Sequence, residues 1–193
     1  MNSIFNPRCY MRSLATRQSN LAMSKHVQEA VDILKAAKYD LIILETSGIG
    51  QADREIIDHS DVSMYVMTPE YGATTQLEKI AMLDNADLVV INKFDKQGAT
   101  DAFADVRKTV QRNRRAFAIP LDQMPVFGTT AHRFNDLGTN VFFNELMKKV
   151  ADASTAQATW DFEPLPAGGA ATDSLIPGQR QRYLGEITEA VRD

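Results

Sequence analysis

Four short apolar runs, separated by stretches with helical spacing, decide what this chain can fold into. They are Leu41-Ile42-Ile43-Leu44, Val62 to Met67 (VSMYVM), Asp87 to Ile91 (DLVVI) and Pro125 to Gly128. A continuous apolar run of this length suits a strand covered on both faces, as in a parallel sheet. Between the runs, Val27, Val31 and Leu34 mark a helix over Ser24 to Lys38, and Leu77, Ile80 and Met82 or Leu83 a helix over Thr75 to Leu83. Phe103, Val106 and Val110 form the inward face of a helix over Asp101 to Phe117, and Val141 to Val150 reads as the last helix of the body. Strands alternating with helices imply right-handed crossovers and an α/β fold with a mostly parallel sheet flanked by helices. Apolar residues make up 44% of the 193, enough for a real core in one ordinary domain plus a tail.

The chain carries a net charge of −4, so no basic field advertises nucleic acid or an anionic membrane. The Arg112-Asn113-Arg114-Arg115 cluster closes a helix, where cations complement the dipole. No apolar run approaches the roughly 18–20 residues that span a bilayer, and Met1 to Ala15 lacks a secretory apolar stretch. Cys9 is the only cysteine, which excludes an internal disulfide and fits a reducing cytosol. A cytoplasmic location is therefore expected. His26, His59 and His132 lie far apart without ligand spacing, against a zinc site. After Ala151 the composition turns to Ala, Thr, Pro and Gly with little periodicity. The expected organisation is a body over 1–153, a linker over 154–178 in which Trp160, Phe162 and Leu165 are candidate anchors, and a short helix over 179–193.

Asn92-Lys93-Phe94-Asp95, directly after DLVVI, is the sharpest chemical signal. The Asp95 carboxylate can accept from both guanine N1–H and the 2-amino group. Adenine offers neither donor, and sites built this way discriminate by roughly 10⁴-fold or more. The Lys93 stem can lie along the base, Asn92 can tie this loop to its neighbours, and Phe94 should point towards the sheet or its covering helices. Coincidence would produce such a tetrad in on the order of a few per cent of chains this long. Its position at the end of a buried strand, where α/β sheets bind ligands, reduces that further.

Glu45-Thr46-Ser47-Gly48-Ile49-Gly50-Gln51 follows the first run. An acid at a strand tip is where nucleotide-binding folds hold magnesium, directly or through water. Gly48 lets the backbone approach a terminal phosphate, and Gln51 can orient a water or stand idle in an exposed loop. Thr129, Thr130 and Ala131, after the last run, can bring backbone N–H groups to guanine O6. The expected ligands are GTP or GDP with Mg2+. No G-x-x-x-x-G-K-[ST] run occurs in the 193 residues, nor any Gly-Lys pair. That loop supplies most phosphate contacts, so weak GTP binding and little hydrolysis by the chain alone are expected.

ETSGIGQ with DHSDVSMYVMTPEYG, TTQLEKI and NKFDK resembles the GTPases that chaperone cobalamin-dependent acyl-CoA mutases. YMRSLATRQSNLA, YDLIILETSGIGQADREIIDHSD and IPGQRQRYLGEI are more similar still to the G-protein domain of the fused isobutyryl-CoA mutases. The resemblance covers nearly the whole chain. It implies a P-loop NTPase-like fold of the SIMIBI type, here lacking the P-loop strand, in domains that are often dimeric and that gate adenosylcobalamin loading. It places Glu45 and Thr46 near magnesium, and Asn92, Lys93 and Asp95 on guanine. Residues around Glu70 to Lys79 become a switch that relays nucleotide state to a mutase. Adenosylcobalamin enters only through a partner or another domain, because the cobalamin-binding histidine motif and the acyl-CoA barrel are not in this sequence. The competing expectation is a nucleotide-independent module that docks a mutase or a like domain. A metallochaperone GTPase fits less well, for want of a His/Cys cluster.

Overall fold

The computed structural model describes residues 6–14, 24–46, 55–72, 77, 80, 82–154 and 162–166. The chain divides into two compact units, Met1–Ser60 and Asp61–Asp193.

In the first unit, helix α1 (Val27–Ala36) buries Val27 and Val31 on one face, the spacing that the sequence shows. Ile42, Leu44 and Ile56 pack against this pair, and Ile56 belongs to the single-turn helix α2 (Glu55–Asp58). The His59 ring and the Gln28 side chain meet at 2.7 Å and join α2 to α1.

The run Leu41–Leu44, expected as a doubly covered strand, is not one. Residues 41–46 pair with no described strand, and their exposure alternates. Leu41 is 53% and Ile43 80% exposed, while Ile42 and Leu44 face α1. A strand exists only when a neighbour takes its N–H and C=O groups. With no paired neighbour among the described residues, the apolar run shows one covered face, that of Ile42 and Leu44.

The second unit holds a three-stranded parallel sheet in the order β1–β2–β3, with β1 at Met64–Met67, β2 at Leu88–Asn92 and β3 at Val126–Thr129. Central β2 carries Leu88, Val89, Val90 and Ile91, each at most 4% exposed. This strand is covered on both faces, as its unbroken apolar run requires. Edge strand β1 buries Tyr65 and Met67 but leaves Met64 and Val66 about half exposed.

The short helix α3 (Met82–Asn85) buries Met82 and Leu83, and Leu77 and Ile80 are buried before it. Residues 73–76, 78–79 and 81 lie outside the described residues, so the expected helix over Thr75 to Leu83 is seen only in part. Helix α4 (Ala99–Asn113) opens at Gly98, whose φ of +79° favours glycine, and buries Ala102, Val106 and Val110. It packs on α3, β3 and the single-turn 3-10 helices Pro69–Tyr71 and Leu121–Gln123. Its basic end is structural in part. Arg114 is half-buried and donates to the Ala86 carbonyl, and Arg107 stacks 4.0 Å over the Phe103 ring.

Helix α5 (Leu137–Ala153) starts four residues before the expected Val141 and packs on β3. Asp136 caps it, accepting from the Thr139 N–H at 2.8 Å and the Thr139 hydroxyl at 2.9 Å. Residues 162–166, expected as linker, are held on α5. The Asn144 carboxamide exchanges two 2.8 Å hydrogen bonds with the Leu165 backbone, and Phe162 meets Phe143 edge-on. Trp160 and the expected terminal helix over 179–193 lie outside the described residues. None of the described helices is long and apolar enough to cross a membrane.

Candidate functional site

In a parallel sheet the carboxyl ends of all strands face one edge, and the loops leaving β2 and β3 emerge there side by side. Asn92 is the last residue of β2 and pairs in register with Thr129, the last of β3. Its carboxamide oxygen accepts from the Thr129 hydroxyl at 3.3 Å and from the Ala131 N–H at 3.2 Å. The Phe94 N–H donates to the Thr129 carbonyl at 3.0 Å, continuing the ladder past the strand end. The tie expected of Asn92 is present, and it joins two of the three segments singled out in the sequence.

Phe94 turns inward. Its ring meets Phe103 of α4 edge-on, 5.3 Å between centroids. A Cβ placed on Gly128 would lie 2.6 Å from that ring, so the glycine is what admits it. Phe94 therefore anchors the loop beneath and does not face a base. Lys93 takes φ +59°, a left-handed conformation uncommon outside glycine, asparagine and aspartate. Sharp turning there throws the main chain outward, and Asp95 follows on the rim with a side chain 28% exposed. The His132 ring stands 3.8 Å from that carboxylate, on the loop after β3.

The Thr130 and Ala131 N–H groups, expected to reach guanine O6, already have partners. Thr130 donates to Asp136 at 3.0 Å, and Ala131 to Asn92. Both threonines are buried, Thr129 at 4% and Thr130 at 6% exposed. These residues order the loop, and contact with a base oxygen requires sharing the longer of the two bonds, that of Ala131.

Lys96 closes the tetrad loop with an ion pair to Glu70 at 3.4 Å, reaching the turn after β1. A Thr68 hydrogen bond, Glu70's own backbone N–H and the Lys96 charge hold the Glu70 carboxyl down to about 2. The segment expected as a switch, Glu70 to Lys79, thus touches the tetrad loop at its first residue; most of the remainder lies outside the described residues.

Glu45 and Thr46 end the extended run of the first unit, with Glu45 exposed. Gly48 and Gln51 lie outside the described residues. No described group of three or more His, Cys, Asp and Glu side chains is gathered for a metal. Magnesium ordinarily takes one or two protein carboxylates with phosphate oxygens and water, and a lone Glu45 fits that sparse demand.

Sequence reasoning missed Asp136 and Asn140, and it reads His132 only against a zinc site, not as a neighbour of Asp95. Asp136 has a readable signal, an acid three residues before Thr139 at a helix start. Buried Asn140 donates to the Asn135 side chain at 2.8 Å and to the Pro166 carbonyl at 3.0 Å. Neither it nor His132 carries a local signal.

The family model described as "Methylmalonyl Co-A mutase-associated GTPase MeaB" matches residues 2–155. Over the whole chain, the sequence is 48% identical to the fused isobutyryl-CoA mutase of Geobacillus kaustophilus and 45% to that of Cupriavidus metallidurans, covering 18% of each. Over 90 residues, 47% of the chain and 22% of the relative, it is 33% identical to the mitochondrial methylmalonic aciduria type A homolog of Caenorhabditis briggsae. The chain thus spans about a fifth of the length of the fused relatives it matches.

Proposed function

Because the chain belongs to the Methylmalonyl Co-A mutase-associated GTPase MeaB family, whose members are P-loop GTPases, we propose that it forms the guanine-recognising part of a GTP-binding chaperone domain serving a cobalamin-dependent acyl-CoA mutase. The observation that carries this reading is the Asn92 carboxamide, which locks the two loops at the carboxyl ends of β2 and β3 together. Asp95 is left on the rim with an accessible carboxylate. In this reading Asp95 accepts from guanine N1–H and the 2-amino group, and the Lys93 stem covers the base. Thr129, Thr130 and Ala131 shape the opposite wall. Glu45, with Thr46, meets magnesium on the phosphate side, with Gly48 and Gln51 following in sequence. Adenosylcobalamin belongs to the mutase partner. The names of the fused relatives favour an isobutyryl-CoA type of mutase, and a second copy of the domain is a further partner. Hydrolysis depends on charge stabilisation around the transferred phosphate, so turnover by these residues alone is expected to be slow.

Exchanging the base-reading group tests the proposal. Xanthine carries a carbonyl where guanine carries its 2-amino group, so Asp95→Asn offers a donor to xanthine and mismatches guanine. Titration with fluorescent GDP, XDP and ADP in magnesium should show wild type preferring GDP. In Asp95→Asn the affinity for GDP should fall by about tenfold or more and that for XDP should rise. Equal affinity of wild type for GDP and ADP would refute the guanine reading. Absence of nucleotide binding with retained association to mutase domains would favour a nucleotide-independent docking module.

A further inference from the structure

The body of the domain is tied to the segment that follows it by a pair of asparagines one helical turn apart. Asn144 meets the Leu165 N–H and carbonyl together, two 2.8 Å bonds that imitate a strand neighbour. Asn140 is 5% exposed, and its two amide hydrogens serve different masters. One reaches the Asn135 side-chain carbonyl at 2.8 Å and the other the Pro166 carbonyl at 3.0 Å. Asn135 sits in a left-handed conformation, φ +54°, immediately before Asp136. Asp136 in turn accepts the Thr130 N–H at 3.0 Å. A continuous chain of contacts therefore runs from Pro166 through Asn140 and Asn135–Asp136 to Thr130.

We propose that Asn140 is a positioning residue for the Thr129–Ala131 loop, and that the segment 162–166 is a strap whose docking on α5 and the occupancy of the guanine site strengthen one another. The idea rests on the guanine reading above. A carboxamide that is buried must keep both donors satisfied. With the strap docked, Asn140 is fixed at one end and can hold Asn135 at the other. With the strap released, one donor loses its acceptor, and the side chain is freed to turn from the loop. Ordering the loop around a base then favours the docked strap, and linkage makes the effect equal in both directions. The segment after the domain thereby becomes part of the guanine site's support, and its docked fraction reports on nucleotide.

The experiment uses the full chain and follows backbone amide exchange by NMR with and without GDP and magnesium. Without nucleotide, the Leu165 amide should exchange about tenfold or more slowly than that of Glu163, and Asn144→Ala should abolish the difference. Saturating GDP should slow Leu165 further. Leu165→Pro removes the N–H that the strap donates, leaves α5 untouched and suits the flanking Pro164 and Pro166. It should weaken GDP binding by about threefold or more, the same factor by which GDP slows Leu165, in a chain that stays folded and melts only a few degrees lower, the loss expected of an undocked strap. Asn140→Asp, which keeps the shape and loses both donors, should weaken GDP binding at least as much. An unprotected Leu165 amide in the wild type overturns the strap. Protection unaffected by GDP, with wild-type affinity in Leu165→Pro, overturns the coupling and leaves the guanine reading standing. A wild type that binds no GDP overturns that reading and the coupling with it.

Discussion

Ser63 and Asp87 staple the feet of the first two strands. The Asp87 carboxylate accepts from the Ser63 N–H at 2.9 Å and its hydroxyl at 2.8 Å, and the Asp87 N–H returns to the Ser63 oxygen at 3.0 Å. Burial raises the Asp87 pKa, but the Ser63 hydrogen bonds with the charges of Lys149 and Arg114 outweigh it and hold the group below the ordinary aspartate value. A carboxyl depressed in the folded state adds stability above its unfolded pKa and loses it as acid protonates it. Asp87→Asn should therefore cost about 1–3 kcal/mol at neutral pH, measured by urea unfolding. The gap to wild type should narrow as pH falls below the usual aspartate range. Glu70 differs, because its carboxylate is half exposed and solvent screens its pairing with Lys96, so its depressed pKa says little about stability. At this scale the sequence was informative about chemistry and poor about partners. Asn92 at the end of an apolar run announced its tie, since few roles exist for a carboxamide there. For the Thr130 and Ala131 N–H groups the sequence is silent about their partners, Asp136 and Asn92, which folding brings in.

Helix α5 and strand β3 approach each other through two glycines. A Cβ on Gly138 would collide with the Gly128 carbonyl, a main-chain atom that cannot swing away. Gly138→Ala should cost about 1–3 kcal/mol by overpacking, although alanine is the better helix former by about 1 kcal/mol. A thermal melt decides the sign, and a stabilised variant would refute the close approach. The same packing explains how much of the elements was legible. Periodic apolar faces gave α1 and α4 to within a few residues, and the unbroken run of β2 gave a doubly covered strand. Helix α5 starts before its apolar stripe because the Asp136 cap sets its first turn, Leu137 to Asn140, where no stripe shows in the sequence. The Leu41–Leu44 run carries as strong an apolar signal as β2, yet forms no strand. Sequence measures the appetite of a segment for pairing, and only the presence of a neighbour decides whether it is met.

The two units differ in how their main chains are secured. Amides of β2 are bonded on both sides within the parallel sheet, whereas residues 41–46 belong to no described ladder. Hydrogen exchange on the whole chain should therefore find Val89 to Ile91 among the slowest amides, with those of 41–46 at least about 100-fold faster. Equal protection would mean that the extended run is paired in solution. The family was readable at this scale from ordered segments spread along the chain, because their order survives where a single loop would not discriminate. The alternating exposure of Leu41 and Ile43 has a practical corollary. A ribbon that belongs to no described ladder and turns greasy side chains outward is adhesive towards others of its kind. Purified material should behave well when dilute and turn turbid as it is concentrated, and Ile43→Lys, a charge set at the most outward point of the ribbon, should postpone that turbidity.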